Sequence, residues 1–150
     1  MTRKLSGLRE LGKVLLQNGR KAVAAAEAGM LEAARLIQSD ARNRVGGQTP
    51  GDWAPPAAAT EARNAAVGEA GAAPLAGSGV LRDSIVIDGS GGEVKIGSAL
   101  DVAAYQEFGT ATIPPRPFLG PALTANRERI VKLVGGRAAA ALADASEKPP

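Results

Sequence analysis

Four carboxylates, Asp83, Asp88, Asp101 and Glu107, lie close together in the middle of the chain. A pair of carboxylates held at short range can do acid–base work or bind a divalent cation. No spacing among these four resembles a metal-binding loop. Polar residues alternating out of a hairpin account for them more simply. Ser78 sits in Gly77-Ser78-Gly79, but a nucleophile elbow needs Gly-x-Ser-x-Gly and a histidine partner. The chain has no histidine and no cysteine. That excludes His-based triads, thiolate nucleophiles, disulfide scaffolds and zinc sites built on Cys or His. Gly77, Gly79 and Gly89–Gly92 do not make a phosphate loop, because no Gly-Lys-Ser/Thr follows. The residues therefore predict a protein that is not an enzyme and needs no cofactor or metal.

Two arginines stand out for a different reason. Arg82 and Arg116 each sit beside apolar residues in constrained backbone. Arginine suits bidentate pairing with a carboxylate at an interface, and Glu107 is one candidate partner. A surface arginine without a fixed partner fits the same pattern.

Arg116 belongs to the stretch around which the chain is organised, Tyr105–Leu123, reading YQEFGTATIPPRPFLGPAL. The chain has one Trp, one Tyr and two Phe, and three of these aromatics are here. Each is worth roughly 150–250 Å² of buried area. Trp53, Tyr105, Phe108 and Phe118 are accordingly expected as structural anchors, with Trp53 holding down its own segment or meeting a partner. Pro114, Pro115 and Pro117 force an extended strap between Ile113 and Phe118. Glu107, Gly109, Thr110, Ile113, Arg116 and Arg82 are the candidates for contact with neighbouring subunits or partners.

The elements that must position these residues form an α+β pattern. Leu5, Leu8, Leu11 and Leu15 recur at helical spacing, and Met30, Ala33, Ala34, Ile37 and Ala41 continue an apolar face. A long N-terminal helical region is expected up to Gly46-Gly47, interrupted at Asn18-Gly19. Residues 46–79 are rich in Gly, Pro and Ala and read as an excursion, with a short helix possible over Pro56–Val67. From Val80 to Gly97 apolar and polar residues alternate around Gly89-Ser90-Gly91-Gly92, which predicts a β-hairpin. Two strands alone are marginal, so one or two further strands are expected, from Tyr105–Ile113 or from other subunits. Val102–Tyr105 reads equally as helix or strand. Leu119–Ala145 reads as a closing helix with Pro121 in its first turn and Gly135-Gly136 as a weak point. A disordered tail is expected over about 146–150. The whole length of 150 residues fits a single domain with a small antiparallel sheet packed against two helices.

The charge is uneven. Residues 1–44 carry nine Lys/Arg and four Asp/Glu, a net of +5, and the remainder carries nine and eleven, a net of −2. Such an arm suits nucleic acid or an acidic partner, though a solvated helix surface with spare Lys and Arg accounts for it more simply. Apolar runs fall well short of the roughly 18 residues a membrane span needs, and nothing resembles a signal peptide. A soluble, intracellular protein is expected.

The order of short motifs resembles a known family. Gly77…Gly79-Val80-Leu81-Arg82-Asp83-Ser84-Ile85 is followed by Val94-Lys95-Ile96-Gly97-Ser98. Ala104-Tyr105-Gln106-Glu107-Phe108-Gly109-Thr110 comes next, then Pro115-Arg116-Pro117-Phe118-Leu119. This order is similar to that of the tail-completion or neck proteins of long-tailed bacteriophages, which join head to tail. Trp53-Ala54-Pro55 with Thr60 resembles the Mu-like virion morphogenesis branch. Gly77-Ser78-Gly79 stands where that family usually has Thr-Gly. The likeness covers residues 50–125 and extends to the flanking helices by pattern alone.

The resemblance implies an α+β subunit without enzymatic activity, assembling as a homo-oligomeric ring at the neck of the virion. Its partners would be the connector or stopper on one side and tail-tube or tail-terminator proteins on the other. DNA would at most pass through the ring, without specific recognition, and no membrane is involved. The subunit would be in the host cytoplasm during assembly and in the virion afterwards. An open sheet edge and an Ala-rich helix suit a protein whose neighbours complete its packing. The alternative is a nucleic-acid-binding protein that uses its basic N-terminal helices.

Overall fold

A computed structural model describes residues 8–46, 53–68, 75 and 77–147. The architecture is α+β. A long helix α1 (Leu8–Gly46) is followed by a short α2 (Ala58–Ala66) and one helical turn, α3 (Val80–Asp83). Strands β1 (Val86–Ser90) and β2 (Glu93–Gly97) follow, then α4 (Asp101–Phe108) and the closing helix α5 (Leu119–Glu147). The chain divides into two compact units, one formed by 1–33 with 128–150 and the other by 34–127. Residues 47–52, 69–74 and 76, which make up much of the expected excursion, and the last three of the expected tail lie outside the described residues.

Helix α1 is continuous over 39 residues, which corrects the expected break at Asn18-Gly19. A glycine inside a helix costs only about 1 kcal/mol relative to alanine. The flanking Leu-, Lys- and Ala-rich turns offset that cost. Helix α5 likewise runs straight through Gly135-Gly136 to Glu147.

In the first unit, α1 and α5 come into backbone contact at Gly29. A Cβ there would stand 3.0 Å from both the Leu133 carbonyl oxygen and Val134 Cα. Beside this crossing, Arg137 donates to Glu32, an exposed ion pair.

In the second unit, the buried apolar residues are Ala34, Ile37, Ala41 and Val45 of α1, with Ile85, Ala103, Phe118 and Ala122. The α1 positions recur every three or four residues and so form one stripe. Most of these side chains are small, so Phe118, Ile85 and Val45 are the largest fully buried ones. Asn126 of α5, itself buried, donates to Asp40 of α1 at 3.1 Å and to Ala122 O at 2.9 Å. Asp40 also accepts from Arg44 one turn on.

The sheet is a single antiparallel hairpin, with Ile87 opposite Ile96 and Asp88 opposite Lys95. Its two-residue turn is Gly91-Gly92, with φ of 61° and 80°. Positive φ at both central residues is the twist-matched turn that glycine alone adopts freely. Val94, Ile96 and Ile87 are half buried, while Asp88, Lys95 and Glu93 are exposed, so the two faces differ as the alternation predicts.

Two strand expectations are corrected. The hairpin starts at Val86 rather than Val80, because Val80–Asp83 closes a helical turn. Ile85 is fully buried, and its carbonyl accepts from Gln38 Nε2 at 2.7 Å and Arg42 Nη2 at 2.9 Å. With that oxygen bonded to α1, ladder pairing begins one residue later. The expected further strand near Tyr105 is helix α4, so the sheet has two strands among the described residues. No described helix is long and apolar enough to cross a membrane.

Candidate functional site

The residues singled out in the sequence converge on α4 and the strap that follows it. Eight residues make a marginal helix by themselves. Helix α4 starts with Asp101, whose charge suits a helix N-terminus, and its inner side is tied to the rest of its unit by polar contacts.

Glu107 makes the first tie. One of its carboxylate oxygens accepts from the backbone N–H of Phe118 at 2.8 Å and of Leu119 at 2.9 Å. The other accepts from Gly120 N–H at 2.8 Å. These donors are the residue before α5 and the first two residues of the helix, where backbone N–H groups lack intrahelical acceptors and carry partial positive charge. A side chain from α4 thus caps α5.

Arg116 makes the second tie, and it is only 8% exposed. Its Nε and Nη2 donate to Ala54 O at 3.1 and 3.0 Å, and Nη2 also donates to Pro55 O at 3.0 Å. Nη1 reaches Gln106 Oε1 at 3.4 Å. Its backbone N–H donates to Gln106 O at 2.6 Å. The planar fork binds two successive carbonyls next to Trp53 and so fastens the 53–57 segment to the strap.

Gly109 and Thr110 make the bend between α4 and the strap. Gly109 has φ 75° and ψ 174°, a region essentially restricted to glycine. A Cβ there would lie 2.9 Å from Ile113 O and 3.0 Å from Pro115. Thr110 N–H donates to Ile113 O at 2.9 Å, and Thr110 Oγ1 accepts from Ile113 N–H at 3.0 Å.

The outer side of α4 is bare. Phe108 is 80% exposed and Tyr105 is 48% exposed. With exposed Val102 they lie at i, i+3 and i+6 along the helix, an apolar stripe about 9 Å long.

Several expectations change. Tyr105 and Phe108 are not anchors within the chain, because α4 turns Ala103 inward and its two aromatics outward. Phe118 is fully buried, and Trp53 is partly buried. Arg116 is buried and spent on carbonyls of its own chain, so it is no surface contact. Glu107 bonds backbone amides rather than either arginine. Gly109 and Ile113 are partly buried and Thr110 is exposed, all three within the bend.

Arg82 pairs with its neighbour Asp83 at 2.9 Å, out in solvent. Hydrogen bonding to Asp83, helped by its charge, raises the Arg82 guanidinium above its usual value. The same bond lowers the Asp83 carboxyl, against an opposing effect of desolvation. Among the described residues, no three carboxylates stand together as metal ligands would.

Sequence reasoning missed Gln38 and Arg42, which hold Ile85 O from one face of α1, and Gln106. The i, i+4 spacing of Gln38 and Arg42 was readable, but their acceptor is a backbone carbonyl and has no residue signature. Arg42 Nε is buried without a hydrogen-bond partner. Compared with models of protein families, with curated proteins and with solved structures, the chain matches none.

Proposed function

We propose that the chain is a structural virion protein of a bacteriophage or prophage, completing the tail and joining it to the head as a ring of identical copies. In this reading it has no catalytic role. It meets a connector or stopper on one side and tail-tube or tail-terminator proteins on the other.

The observation that carries the reading is how two short motif pieces of the family likeness, weak singly and specific by their order, interlock. Glu107 of Glu107-Phe108-Gly109-Thr110 caps the helix that begins beside Arg116-Pro117-Phe118. Arg116 in turn hydrogen-bonds Gln106 through both main chain and side chain. The two pieces form one locked unit, and its product is a rigidly placed, exposed Phe108. A large exposed aromatic on a fixed helix suits binding to another protein rather than catalysis. The hairpin adds to this, since each of its strands has one neighbour among the described residues.

The test is removal of the gene from the phage or prophage that carries it. Separate filled heads and finished tails under the electron microscope are expected, and normal virions would overturn the proposal. Complementation with Phe108→Ser should restore a folded protein but not joined particles. Arg9, Lys13, Arg20 and Lys21 are all exposed on α1, which favours a second reading as a nucleic-acid binder. That reading requires a salt-dependent mobility shift with DNA, and no shift at low salt removes it.

A further inference from the structure

The described residues hold two separate exposed apolar stripes of opposite electrostatic setting. The first is the outer side of α4, formed by Val102, Tyr105 and Phe108, with Asp101 one turn from Tyr105. Asp101 is exposed at this stripe, whereas Glu107 of the same helix is turned to the start of α5. The second stripe lies in the first turns of α1. Leu15 is 62% and Leu16 67% exposed, and Leu11 is exposed as well. Over 9–21 the chain carries Arg9, Lys13, Arg20 and Lys21 against Glu10, a net of +3. Asp101 and the four basic residues have no ion-pair partner among the described residues.

We infer that the leucine stripe of α1 in one copy docks on the Tyr105–Phe108 face of α4 in the next, a head-to-tail contact between two different surfaces of the same chain. This deepens, and rests on, the homo-oligomeric reading above. Two properties select a second copy as the occupant. Both surfaces are apolar where they would meet. The exposed charges beside them are opposite, Asp101 at the α4 stripe and Arg9, Lys13, Arg20 and Lys21 along the α1 stripe, so orientation is favoured and pairing of like surfaces is opposed. A contact between two different patches leaves a free patch at each end, so it extends until rotation closes a ring.

The exposed parts of Phe108 and Tyr105 offer roughly 250 Å² of aromatic surface. With the leucines the apolar part comes to about half of the roughly 1,200 Å² at the low end of specific interfaces. A single contact is therefore weak, and closure, which gives every subunit two contacts, supplies the rest.

The chain has no cysteine, so engineered cysteines report a weak contact cleanly. Full-length Leu15→Cys and full-length Phe108→Cys are mixed in equal amounts and oxidised gently. Both positions are exposed, and circular dichroism checks that each variant is folded. Random collision gives as much mixed dimer as the two homodimers together. The inference requires a clear excess of mixed dimer, falling towards the random ratio at roughly 1 M salt, where the Debye length is about 3 Å. Val131→Cys, equally exposed on α5, is the control that should not link preferentially to Phe108→Cys. A random ratio at low salt overturns the inference. So does a dominant Phe108→Cys homodimer, which would mean that like faces pair, and so does equal linking of the control. If linking is random while the deletion phage still yields unjoined heads and tails, this interface is wrong and the head–tail role stands. If linking is specific while the deletion phage yields normal virions, the interface stands and the head–tail role is wrong.

Discussion

Replacing Glu107 tests how far the placement of α4 depends on a single carboxylate. Glu107→Ala removes the two oxygens that accept three backbone N–H groups at the start of α5. The bonds to Phe118 and Leu119 are partly buried, and leaving such amides unpaired costs about 1 kcal/mol each at the low end of the range. The bond to Gly120 is exposed, so water replaces it at little cost. Loss of a negative charge at the N-terminus of α5 adds about 1 kcal/mol. The sum is about 3 kcal/mol. Glu107→Gln keeps one acceptor oxygen but loses the charge and points an NH2 group at donors, for about 1.5 kcal/mol. Trp53 is the only tryptophan and adjoins the carbonyls that Arg116 holds, so its fluorescence reports on this unit alone. Urea unfolding followed at Trp53 should rank wild type above Glu107→Gln above Glu107→Ala. At about 2–4 °C per kcal/mol, the alanine variant should melt roughly 6–12 °C lower. Phe108→Ser, on the exposed side of the same helix, should leave the unfolding curve in place. If both Glu107 variants fall within about 0.5 kcal/mol of wild type, the cap does not hold the helix and the reasoning fails.

Other substitutions test the surrounding contacts. Arg116→Lys keeps the charge but cannot span Ala54 O, Pro55 O and Gln106; a loss of about 2 kcal/mol is expected, with faster proteolysis near residues 53–57, and wild-type proteolysis would refute it. Gly109→Ala should cost about 3 kcal/mol by urea unfolding, from a backbone region closed to alanine and a Cβ against Ile113 O; an unchanged midpoint would show that the bend relaxes freely. Phe118→Ala should cost about 3–5 kcal/mol, since this ring is the largest fully buried side chain, and a loss under about 1 kcal/mol would mean that it is no core anchor.

Helical character over 8–46 and 119–147 and a hairpin at a glycine-rich loop were legible in the sequence, because each is written in local periodicity; the unbroken run of α1 through Asn18-Gly19 and the shortening of the loop to Gly91-Gly92 were not. Leucine and alanine at helical spacing mark α1, the stripe Leu123, Ile130, Val134 and Leu142 marks α5, and alternation around Gly89-Ser90-Gly91-Gly92 marks the strands. These signals need nothing beyond their own neighbours in the chain, and with the absence of Cys and His they bounded the chemistry open to the protein. The state of 101–108 was not legible, since eight residues of Asp, Val, Ala, Tyr, Gln, Glu and Phe suit helix and strand alike. Nor were the partners of Glu107, Arg116, Gln38 and Arg42 legible. These side chains bond mainly backbone amides and carbonyls, which every residue carries and no residue type announces. The largest reversal concerns the aromatics. Their area argued for burial of Tyr105 and Phe108, but one helix can turn only one side inward, and α4 gives that side to Ala103 and to the groups that grip α5 and the strap. Sequence alone determined the two long helical regions and a hairpin, and excluded His- and Cys-based chemistry. Tertiary structure alone decided which side of α4 faces out, because that choice depends on contacts with backbone far away in the chain.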